Sequence, residues 1–138
     1  MPLVIASAAL ERELVGYNAS TTAGGEISYK FGSLAHSSPD ARKRAVEHNV
    51  YCIELGEQLG STALTVWLAD GINHPGQADF RRQFERVADG LREIHEALPH
   101  GWKMFTEHKP YEPAFYSSVN ADWGSSLLLA QHASHRVG

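Results

Sequence analysis

Two short apolar runs, Thr62 to Leu68 and Trp102 to Thr106, flank one strongly amphipathic segment, and that arrangement leaves the chain few folds to choose from. Between them, Phe80, Phe84, Val87, Leu91, Ile94 and Leu98 step by four and three residues in turn, which places them on one face of an α-helix. Each run is bounded by turn residues, Gly60 and Asp70-Gly71 for the first, Pro99-His100-Gly101 before the second, as short buried strands are. Strand, helix, strand in this order predicts parallel strands joined by a right-handed crossover.

The same rhythm extends in both directions. Ser37-Ser38-Pro39-Asp40 reads as a helix start: a hydroxyl can accept from the first free amides, proline suits the first turn, and Asp40 complements the positive helix end. That helix is expected to run to about Leu59, where Gly60 stops it. Past a long connection holding Pro110 and Pro113, Asp122 or Asn120 could cap a last helix through Ser126 to Gln131. Residues 1–25 are the least legible: Val4 to Val15 suits a short helix, and Tyr17 to Gly25 is rich in turn formers.

A chain of 138 residues with 43% hydrophobic content has material for one core. A full (β/α)8 barrel takes roughly 250 residues, so about three βα units are the most it can hold. The formal charge of −4 and the absence of a clustered basic patch argue against nucleic acid, and Arg42-Lys43-Arg44 reads as a solvated helix face. No apolar run approaches the ~20 residues of a membrane span and no basic leader follows Met1, so a cytoplasmic location is expected. The single cysteine, Cys52, sits in a helical apolar pattern as a small buried hydrophobe.

Chemistry is expected where the two strands end, because in α/β barrels functional side chains project from the carboxyl ends of the strands. Glu107 is the strongest candidate: a carboxylate at a buried strand end costs free energy unless a divalent metal or a cation such as Lys109 meets it, against a plain partly exposed glutamate. Lys109, two residues on, either polarises a substrate oxygen or pairs with Glu107. Trp67 either walls a polar substrate or fills the interior, and Asp70 either binds a hydroxyl or caps its own loop, with Gly71 taking the difficult dihedrals. The eight histidines form no ligand pattern, and no HExxH, CxxC, phosphate loop or nucleophile elbow is present.

Taken together, Ser28-Tyr-Lys-Phe-Gly-Ser-Leu-Ala-His36, Leu64-Thr-Val-Trp-Leu-Ala-Asp-Gly71, Pro75-Gly-Gln77, Lys103-Met-Phe-Thr-Glu-His-Lys109 and Tyr111-Glu-Pro-Ala-Phe-Tyr116 strongly resemble the L-rhamnose isomerase family, in its broad-specificity, xylose-isomerase-like branch. The resemblance runs from about Ser28 to Gln131. It implies that residues 26–138 form part of a TIM barrel, about three central βα units, and that residues 1–25 match poorly. It further implies metal-dependent interconversion of L-rhamnose and L-rhamnulose with Mn2+ or another divalent cation, hydrogen moving between C1 and C2 as a hydride or through an enediol. Glu107 would be a metal ligand, Lys109 a catalytic and substrate-binding residue, and Trp67 a wall of the sugar pocket, in an enzyme that is commonly a tetramer.

The family's remaining metal ligands have no counterpart in this sequence. One carboxylate cannot hold a metal that needs four or more ligands, so the chain by itself is expected to bind none tightly and to be inactive, as a middle piece of the isomerase. The alternative is a non-catalytic remnant or a small α/β module that binds a sugar or a protein. A compact three-layer domain unrelated to isomerases would require the motif match to be coincidence.

Overall fold

A computed structural model describes residues 3–6, 32–108 and 116–134. They form a mixed α/β fold. Strand β1 (Leu3–Ala6) is followed by helix α1 (Pro39–Gln58), strand β2 (Ser61–Trp67), the two-residue strand β3 (Gly71–Ile72), helix α2 (Phe80–Glu96), strand β4 (Lys103–Glu107), the two-residue strand β5 (Ser117–Ser118) and helix α3 (Trp123–Ala133). The main sheet has the order β1-β2-β4, every pair parallel, so α1 and α2 each lie in a crossover between neighbouring strands. The small strands β3 and β5 pair antiparallel beyond the carboxyl ends of β2 and β4.

β1 corrects the reading of a helix beginning at Val4, because Val4 to Ala6 are strand; the rest of that stretch, residues 7–15, lies outside the described residues. Val4 and Ile5 are β-branched, and their backbone instead pairs with Ala63 and Leu64 of β2. A local apolar run of this length suits either state, and the tertiary pairing decides it. The turn-rich Tyr17 to Gly25 stretch lies outside the described residues.

The three helices begin and end for identifiable reasons. Pro39 opens α1, but the expected hydroxyl cap is absent: Ser38 makes no side-chain cap bond. The entry is held instead by Arg42, whose Nη1 donates to the carbonyls of His36 at 2.8 Å and Ser37 at 3.0 Å. Gly60, at φ +73°, takes the left-handed turn that ends α1 and admits β2. Asp79 caps α2 through the Arg82 amide, and Asp122, the first of the two expected candidates, caps α3 in a reciprocal box with Ser125.

The core lies between the helices and one face of the sheet. Leu64, Val66 and Leu68 of that face are buried with Ala45, Cys52 and Ile53 of α1, Val87, Leu91 and Ile94 of α2, and Leu129 of α3. Within the expected apolar face of α2, Val87, Leu91 and Ile94 are fully buried, whereas Phe80 at the amino end remains 40% exposed and Phe84 is only partly buried, meeting the His132 ring edge-on. No helix among the described residues is long and apolar enough to cross a membrane.

The other face of the sheet is differently clothed. Thr65 and Trp67 are half-buried there, and their register partners Phe105 and Glu107 are exposed, Phe105 by 49%. An all-parallel sheet is ordinarily covered on both faces. Among the described residues the helices cover one.

Candidate functional site at the carboxyl ends of the strands

Trp67 is the last residue of β2 and Glu107 the last of β4, and the two are paired in register. Residues paired across a parallel ladder put their side chains on the same face, so an aromatic surface and a carboxylate stand side by side at the sheet's rim. Glu107 is exposed, so the argument that burial would demand a cation does not apply to it; what singles it out is its place at the strand end beside Trp67. Lys109 lies outside the described residues.

Asp70 has a different task from the two considered for it. Its carboxylate is fully buried and reaches across the fold to the 33–35 loop: Oδ1 accepts from the Ser33 amide at 2.6 Å, Oδ2 from the Ala35 amide at 2.8 Å, and the Ser33 hydroxyl lies 3.1 Å from each oxygen. It therefore caps backbone, but that of another loop rather than its own. Burial pushes the Asp70 carboxyl above the usual aspartate range, and the Ala35 and Ser33 donors pull it back only in part. This bond set fastens the two stretches Gly32 to His36 and Leu64 to Gly71 together.

Gly71 also differs from expectation. It does not take a positive φ; it is glycine because β5 passes too close, and an added Cβ would run into the Ser117 carbonyl and lie 2.7 Å from the Tyr116 ring. The Tyr116 hydroxyl donates to the Ala69 carbonyl at 2.7 Å, and burial, with the nearby Asp70 charge, pushes its pKa up to about 12. His36 beside this cluster is held below its usual pKa chiefly by burial, and its Nδ1 accepts from the Ser38 amide at 2.9 Å.

Residues 119 and 120 join the two strand ends. The Val119 amide donates to the Asp70 carbonyl at 2.8 Å, and the Asn120 side-chain Nδ2 donates to the Glu107 carbonyl at 3.1 Å. From the sequence alone Asn120 reads only as an alternative helix cap. The signal available was two cap-type residues, Asn120 and Asp122, before one helix that needs a single cap.

Among the described residues no three or more histidine, cysteine, aspartate or glutamate side chains come together as a metal site. Glu107 is thus a single donor, and the described residues do not by themselves fit a divalent cation.

Over 112 residues the chain is 55% identical to a probable sugar isomerase of Mesorhizobium japonicum and 54% identical to a probable sugar isomerase of Rhizobium meliloti. The chain resembles sugar isomerases. Each match takes in 81% of this chain and 26% of the relative, so the chain spans about a quarter of the length of the curated relatives it matches. No protein-family model matches it. The relatives' names support a sugar isomerase, and they specify neither the sugar nor a metal.

Proposed function

We propose that this chain supplies one side of the active site of a cytoplasmic, metal-dependent sugar isomerase that interconverts L-rhamnose and L-rhamnulose, and that its three parallel strands belong to a (β/α)8 barrel. The observation that carries the reading is the register pair Trp67 and Glu107 at the carboxyl ends of adjacent parallel strands. An aromatic ring packs on the C–H face of a sugar while the neighbouring carboxylate accepts its hydroxyls, a combination suited to polar ligands with one apolar side. The sheet face that carries Thr65, Trp67, Phe105 and Glu107 fits a barrel interior awaiting further strands. The choice of L-rhamnose rests on the motifs from Ser28 to Tyr116, beyond what the names of the relatives say.

In this reading Trp67 orients the sugar and excludes water from one side of it, Glu107 holds hydroxyl oxygens at the reacting end, and Lys109 supplies a positive charge there. The described residues hold too few ligands for Mn2+, so no step is assigned to a metal. The remaining ligands, and the tetramer interfaces common in the family, are proposed to lie in the three quarters of the relatives' length that the chain does not span.

The test is complementation. The chain is co-expressed with the part of the Mesorhizobium relative that lies outside the matched stretch, and conversion of L-rhamnose to L-rhamnulose is followed with Mn2+ present. Turnover that vanishes with chelator and in Glu107→Gln is the expected result. Saturable, chelator-insensitive sugar binding without turnover would instead establish the non-catalytic module.

A further inference from the structure

We infer that Asn120 is a positioning residue for Glu107, fixing the peptide that follows it and so the direction in which the strand end projects. Asn120 is fully buried. A buried side-chain amide is costly unless its polar atoms are used, and both ends of this one are: Nδ2 donates to the Glu107 carbonyl at 3.1 Å, while Oδ1 accepts from the Ser126 hydroxyl at 2.7 Å. Ser126 is in α3, whose own start is fixed by the Asp122 and Ser125 box. The amide thus transmits the position of a capped helix to the last residue of β4.

Two features make this more than the tying down of a loop. β4 is the end strand of its sheet among the described residues, so its last peptide has a strand neighbour on one side only, and Asn120 supplies the second restraint. The preceding residue does the same for the other strand end, since the Val119 amide donates to the Asp70 carbonyl at 2.8 Å. Consecutive residues therefore hold the Asp70 carbonyl, in the segment that leaves β2, and the Glu107 carbonyl at the end of β4, so both strand exits are restrained from one short stretch of chain. The role assigned to Asn120 rests on the sugar-isomerase reading only for what Glu107 does once it is positioned.

The experiment measures backbone order at His108, whose amide belongs to the peptide that Asn120 holds, by nuclear magnetic relaxation of the isotope-labelled full chain without sugar or metal. The variants are Asn120→Asp, which keeps the volume but loses the donated bond when ionised, Ser126→Ala, which removes the shorter of the two α3 hydroxyl bonds to Oδ1 and leaves the Ser125 hydroxyl at 3.4 Å, and Leu129→Ala, which weakens α3 packing without removing any Asn120 bond. In the parent chain the His108 order parameter should be that of rigid backbone, about 0.85, and in Asn120→Asp it should fall toward about 0.6, with a smaller fall in Ser126→Ala. Leu129→Ala should leave it unchanged while lowering the unfolding midpoint. An unchanged His108 in Asn120→Asp, or a fall of the same size in Leu129→Ala, overturns the assignment; if Asn120→Asp does not fold, Ser126→Ala decides by the same criterion. Since no turnover is measured, this failure is separate from failure of the complementation assay.

Discussion

Trp67 and Glu107 are register partners at the carboxyl ends of adjacent parallel strands, separated in sequence by the whole of α2 yet set side by side by the ladder between β2 and β4. That pairing requires no direct contact between α2 and either side chain. It follows from strand direction and register, because a crossover between parallel strands returns the chain to the same end of the sheet.

In the complemented enzyme the two should therefore fail differently. Glu107→Gln is expected to lower kcat by about 100-fold or more, as loss of a charge-stabilising group does. Trp67→Ala is expected to act mainly by raising KM, through loss of the sugar-facing surface. Steady-state kinetics on L-rhamnose separates the two, and an equal effect on kcat from both would remove the distinction drawn between them.

Asp70→Ala should destabilise the chain by about 3 kcal/mol, because the buried Ser33 and Ala35 amides are left without an acceptor. Urea unfolding of the variant beside the parent measures it. A loss below about 1 kcal/mol would mean that water replaces the carboxylate.

The pH dependence of stability should carry two opposed contributions at this loop. His36 has a folded pKa below 6.5, so the unfolded chain binds more protons just under that value, and stability present above pH 6.5 is lost as pH falls through the folded pKa. Asp70 has a folded pKa above 3.8, so its contribution is fully present below pH 3.8 and is lost as pH rises through the raised value. His36→Asn keeps an acceptor for the Ser38 amide without titrating, and should remove the first slope alone. Unfolding midpoints between about pH 4 and pH 7 read both slopes.

Gly71→Ala should cost about 2 to 3 kcal/mol, since its methyl group meets the Ser117 backbone rather than a side chain that can swing away. The β3–β5 pair is expected to open first, seen as accelerated amide exchange at Ser118 before the main sheet is affected. Protection equal to that of the parent chain would show that β5 can move aside.

The isolated chain should self-associate through the sheet face bearing Phe105, which is 49% exposed beside half-buried Trp67. Phe105→Gln should shift sedimentation toward monomer. A sharp monomer with cooperative unfolding in the unaltered chain would count against an uncovered sheet face.

Much of this architecture was legible because it is local. The steps from Phe80 to Leu98 specify α2, Pro39 and Gly60 bracket α1, Asp122 starts α3, and the apolar runs around Leu64 and Phe105 become β2 and β4 within a residue of their expected bounds. Trp67 and Glu107 were recognisable as strand ends for the same reason. β1 was not legible, since Val4 and Ile5 become a strand only by finding β2 some 60 residues away. Nor were β3 and β5, two residues each, too short for any periodicity to register.

What the sequence by itself determined was the succession α1, β2, α2, β4, α3, the apolar face of α2 and the placing of Trp67 and Glu107 at strand ends, because hydrophobic spacing and capping chemistry act over a few residues. Only the tertiary structure decided that Asp70 holds the 33–35 loop instead of its own turn, that Gly71 answers to the approach of Ser117, and that Asn120 restrains Glu107. Each of those depends on a donor or a backbone brought close from elsewhere in the chain, and a buried polar group takes the partner that packing leaves within hydrogen-bond reach.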